Sequence, residues 1–119
     1  MEMTDTGSDE QQLALVGSGV VLVEFWAPWC DAPQALALLA EELAEEYRGK
    51  LRTQRINVEE YPVLAARYHV HAVPTLALVE DGQLVDQFVG FASREKLQGA
   101  IDWLLAHGKR ASGSGHSAS

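Results

Sequence analysis

A second cysteine is missing. The 119 residues contain one, Cys30, so no disulfide can close within the chain, which fits a reducing cytoplasm. Positive charge is scarce too: 9 Lys and Arg stand against 17 Asp and Glu, for a net charge of −8. Nucleic-acid phosphates and anionic membrane surfaces repel a chain of that sign, and neither is expected as a partner. No apolar run approaches the length that spans a bilayer. Residues 1–10 are acidic and polar, where a secretory signal is basic and then apolar. A soluble, cytoplasmic protein is expected. His69 and His71 stand two apart with no Cys or carboxylate cluster to complete a metal site, so neither a metal nor a cofactor is expected.

What is present suits one globular domain. An apolar share of 47% with 22% charged residues is ordinary for such a domain, and the length suffices for a core of its own. Residues 1–7 carry no periodic signal and read as a flexible N-terminus. The domain is expected over 8–107. Residues 108–119 form a Gly/Ser-rich tail that commits to no element.

Val20, Val21, Leu22, Val23 and Phe25 make an apolar, largely β-branched run, the pattern of a strand buried on both faces. Before it, Ser8-Asp9-Glu10-Gln11 matches a capping box that would open a short helix ending near Gly17. After Cys30, the apolar residues Leu36, Leu39, Ala40, Leu43 and Tyr47 recur at the spacing of one helix face. Glu41, Glu42, Glu45 and Glu46 lie on the wet side, with Gly49 as C-cap. A strand is expected over 51–57, then a short helix over 61–68 with Pro62 in its first turn. Strands over 75–80 and 83–89 are joined by Asp81-Gly82, a hairpin signal. A last helix is capped by Ser93, shows Leu97, Ala100, Ile101 and Leu104 on one face, and stops at Gly108.

Cys30 stands where strand gives way to helix. A thiol there faces unpaired backbone N–H groups and the positive end of the macrodipole, both of which favour the thiolate. The other reading of a lone cysteine is a small buried hydrophobe. Glu24 is the odd member of its strand, a carboxylate in an apolar run. Just behind a nucleophile it could relay protons; otherwise it is a solvated edge residue or a salt-bridge partner, as to Arg55 on the next strand.

The string Phe25-Trp26-Ala27-Pro28-Trp29-Cys30 resembles the active-site approach of the thioredoxin family. Val73-Pro74-Thr75 is similar to that family's cis-proline loop, Asp81-Gly82 to its last hairpin turn and Val89-Gly90 to the end of its last strand. The matches keep the family's order over about residues 18–107. The resemblance implies an α/β fold, a thioredoxin-like three-layer sandwich with a mixed central sheet flanked by helices. One position departs from the family. In Cys30-Asp31-Ala32-Pro33, proline stands where the second active-site cysteine would be.

The resemblance makes Cys30 the catalytic nucleophile and Glu24 its buried acid, with Trp29, Asp31, Ala32 and Pro33 as the active-site motif. It implies that Trp29, Ala72, Val73, Pro74, Gly90 and Phe91 border the sulfur as an apolar rim that accepts an extended peptide. It also brings His71 near the sulfur, as a cation favouring the thiolate or as a solvated loop residue. Asp31 opposes thiolate formation, and the balance is open at this level. Reduction by the family needs two thiols, one to attack and one to resolve. Two functions follow. The first is a thiol–disulfide oxidoreductase with a single nucleophilic cysteine, acting on protein or glutathione mixed disulfides and released by an external thiol such as glutathione, by the substrate's own second thiol, or by another protein such as a reductase. The second is a redox-inactive module that binds peptides or proteins. A monomer is expected, with a Cys30-linked dimer on oxidation.

Overall fold

The computed structural model describes residues 17–30 and 34–108. The expected capping box at Ser8 and the segment holding Asp31, Ala32 and Pro33 lie outside these residues, as does everything after Gly108. The element order is β1 (Val20–Trp26), α1 (Gln34–Glu46), β2 (Arg52–Asn57), α2 (Pro62–Arg67), β3 (Thr75–Glu80), β4 (Gln83–Val89) and α3 (Arg94–His107). The sheet runs β2-β1-β3-β4, with β1 parallel to β2 and antiparallel to β3. It is mixed, because the β1-to-β2 connection carries a crossover helix and the β3-to-β4 connection is a tight turn.

The period-two geometry of β1 feeds two cores, one on each face of the sheet. Val20 and Leu22 pack with Leu36, Ala40 and Leu43 of α1 and with Leu97, Ile101 and Leu104 of α3. Val21, Val23 and Phe25 pack on the other side with Ile56 and with Leu64 and Ala65 of α2. Helices therefore cover both faces, which is the expected three-layer thioredoxin fold.

Several boundaries differ from the sequence pattern. Leu51 is buried but sits in the turn before β2, leaving the strand to begin at Arg52. Tyr61 and Tyr68 flank α2 as caps rather than joining it. The Tyr68 hydroxyl donates to the Gly82 carbonyl at 2.8 Å, and His69 follows with φ +60°, a conformation that ends the helix. α1 ends at Glu46, three residues before Gly49, whose φ of +84° closes the turn that leads into β2. Ser93 caps α3 as expected, its hydroxyl accepting from Lys96 N–H. Between β3 and β4, Leu78 pairs with Asp86 and Val79 with Leu84, so Val85 has no partner and forms a bulge.

Candidate active site

Strand β1 delivers the site. Because side chains alternate along it, Glu24 points to the same face as Val20 and Leu22, toward α1, among groups that cannot solvate a carboxylate. Its partner is Arg55, the residue directly across the parallel ladder, whose Nε lies 3.1 Å from Glu24 Oε1. The Arg55 guanidinium also lies 4.6 Å from the ring centroid of Trp26, over its face. The ion pair with Arg55 is formed, and Glu24 is not a solvated edge residue.

Beyond Trp26 the chain turns through Ala27 and Pro28, and the Cys30 N–H donates to the Ala27 carbonyl at 3.0 Å. Cys30 is free and partly exposed. Cys30 and Glu24 line one open cavity of about 410 Å³, together with Trp26, Gln34, Glu41 and Arg55. The carboxylate and the sulfur thus border the same cavity. Glu41, assigned by its helix position to the wet side, is on the rim of this cavity.

A second, smaller depression of about 150 Å³ lies beside Trp29 and is lined by Val58, Val70, His71, Ala72 and Val73. Trp29 itself is 68% exposed and Phe91 70%. The Val73–Pro74 peptide bond is cis. The Pro74 carbonyl accepts from Gly90 N–H at 2.9 Å, and Thr75 Oγ1 donates to the Ala72 carbonyl at 2.7 Å. These bonds bring the 72–75 loop and the end of β4 together. Trp29, Ala72 and Val73 line the same depression, and Pro74 and Gly90 adjoin each other. His71 lines the depression beside Trp29 and not the cavity that holds Cys30 and Glu24. Among the described residues, no group of three or more His, Cys, Asp or Glu comes together as a metal site.

Sequence reasoning missed two contributors. Val58 and Val70 form the wall opposite Trp29, and the signal available was their apolar character at the ends of β2 and α2. The stacking of Arg55 on Trp26 had no local signal, because it depends on the register between β1 and β2.

Trp29 and the 71–73 loop thus line one depression, while Cys30, next to Trp29 in sequence, lines the other cavity. Comparisons with known proteins bear on the family and the fold. The family model described as Thioredoxin matches residues 4–103. The thioredoxin of Staphylococcus aureus is 42% identical over 102 residues, spanning 86% of this chain and 94% of its own length. A mutant thioredoxin from Halobacterium salinarum NRC-1 superimposes with a TM-score of 0.65 at 35% identity, over 82% of this chain and 81% of that one. A chain from a structural study of the thiol resolving mechanism in yeast mitochondrial 1-Cys peroxiredoxin via glutathione/thioredoxin systems gives a TM-score of 0.66 at 26% identity. That match covers 78% of this chain and 87% of the other.

Proposed function

Because this chain belongs to the thioredoxin family, a family of thiol–disulfide oxidoreductases, we propose that it performs that exchange with one sulfur. The observation that carries the reading is the shared cavity of Cys30 and Glu24, with the exposed Trp29 and the cis-Pro74 loop beside it. The Cys30 thiolate attacks a partner disulfide. A Cys30–partner S–S bond forms as the partner's own S–S bond breaks, and the leaving sulfur departs with the electron pair and takes up a proton. An external thiolate then attacks Cys30 sulfur, forming a bond to it and releasing the partner as a dithiol. A second external thiol frees Cys30. The net change oxidises two external thiols and reduces one partner disulfide.

Glu24 is the residue best placed to accept the Cys30 proton through the cavity and return it on release, and Arg55 holds it in position. Pro33, in place of a resolving thiol, assigns release to glutathione or a protein thiol, which a reducing cytoplasm would supply.

The second reading, a binding module without turnover, draws on that same Pro33 and on the exposed apolar side chains Trp29, Val89 and Phe91. Mass spectrometry after mixing with a disulfide-containing protein separates the two. The oxidoreductase gives a Cys30-linked adduct that persists until external thiol is added, and Cys30→Ser gives none. Tight association without any adduct establishes the module instead.

A further inference from the structure

Resting on the single-thiol reading, we infer that the surface around Cys30 selects its partner by charge, and that this partner is an extended polypeptide segment with basic residues flanking the reacting sulfur. The cavity beside Cys30 is lined by three charged side chains, Glu24, Glu41 and Arg55. Arg55 is committed to Glu24, so the cancelled pair leaves Glu41 as the net charge there. On the other side of Trp29, Val58 lines the apolar depression, and its N–H donates to the Trp26 carbonyl at 2.8 Å. That bond fixes the turn at the end of the sheet where Cys30 lies. The next residues in the turn, Glu59 and Glu60, are both exposed carboxylates.

Arg94 at the start of α3 is held by Glu42 and Glu46 of α1. His71 is the basic residue that lines the apolar depression. The exposed Trp29 therefore stands between the cavity that Glu41 lines and the depression whose Val58 leads into Glu59 and Glu60.

A basic segment with an apolar centre complements that pattern, gaining encounter rate and a defined register from it. A second copy of this chain, at net −8, meets like charge. Glutathione, whose carboxylates outnumber its amine, meets it too. The favoured disulfide, and the favoured resolving thiol, are those carried in a basic polypeptide.

The test uses the full chain and synthetic peptides of equal length and common apolar core, with basic, neutral or acidic flanks. In one arm the central residue is serine and binding is read by tryptophan fluorescence. In the other the central residue is a cysteine joined to a chromogenic leaving thiol, and the rate of its release is read. Basic flanks are expected to outperform acidic ones roughly tenfold at low salt, with the difference collapsing at high salt. Glu41→Lys/Glu59→Lys/Glu60→Lys should erase or reverse the order; should that variant misfold, the salt series on the unaltered chain decides. Equal binding, a preference for acidic peptides, or a preference indifferent to salt overturns the inference. If all three chromogenic peptides react alike, charge selection falls while the nucleophile stands. If none reacts yet the basic serine peptide binds tightest, the nucleophile falls and charge selection stands.

Discussion

Glu24 and Arg55 form an unequal pair: the carboxylate side chain is 4% exposed and the guanidinium 56%, with 3.1 Å between Oε1 and Nε. Each removal therefore has a different cost. Arg55→Ala strands a buried charge, whereas Glu24→Gln leaves a cation that water already reaches. A fully buried pair loses about 3–5 kcal/mol when one partner is removed. With Arg55 half in water, about 2 kcal/mol is expected for Arg55→Ala and about 1 kcal/mol for Glu24→Gln. Urea denaturation of the two variants checks the order. Equal losses would mean that the pair does not support the fold in this way.

Trp29 is expected to matter for binding and not for stability. Its ring stands largely in solvent, so Trp29→Ala removes little that the core uses, and a stability change within about 0.5 kcal/mol is expected. Peptide binding should weaken by about 1–2 kcal/mol, the range of an aromatic anchor at an interface. Titration with a fluorescently labelled peptide measures this, beside a melting curve.

Alkali should unfold the protein through two phenols. Tyr47 is pushed up from its ordinary 10.0 by burial first and then by Asp102, whose carboxylate accepts its O–H at 2.7 Å. Tyr68 is pushed up by burial, against a smaller opposing pull from Arg67. As pH climbs past about 10, the unfolded chain releases phenolic protons that the folded chain keeps. The contribution is complete below that pH and is lost as the folded groups titrate. Stability in urea should hold steady to about pH 9 and fall beyond about pH 10. Tyr47→Phe and Tyr68→Phe should each flatten the fall, and a slope unchanged in both would rule the phenols out.

Pro33→Cys supplies the missing sulfur three residues after Cys30, a separation at which helical neighbours face each other and a disulfide can close. Release should then become internal. Insulin reduction driven by a dithiol reductant should rise well above that of the unaltered chain, and the trapped adduct should no longer accumulate. A folded Pro33→Cys protein that stays inactive would favour the binding module.

Much of this was legible in the chain because β1 announces itself. A strand apolar at both odd and even positions must be covered on both sides, and Leu36, Ala40 and Leu43 supply one cover by their own spacing. Glu24 stood out by the same logic, since a carboxylate in such a strand needs a reason. Its pairing with Arg55 was only one of the possibilities in the sequence, because strand register is set by long-range packing and not by local pattern. Glu41 was hidden for a related reason. Exposure follows from helix periodicity, but which exposed residue borders a cavity depends on how α1 crosses the sheet. Tyr61 and Tyr68 were drawn into α2 by their apolar bodies, although the Tyr68 hydroxyl bonds outside the helix, to Gly82.

The bulge at Val85 matters for how the protein keeps company with itself. Among the described residues β4 pairs on one side only, with β3, and a straight outer strand of that kind invites neighbours to add on without limit. Here the unpaired Val85 breaks the ladder midway, and Asp86 beside it puts a charge on the break. Copies that approach this edge meet an interrupted row of donors and acceptors rather than a template. The same irregularity that spoils one pairing in the sheet thus guards crowded molecules against run-on growth into fibres.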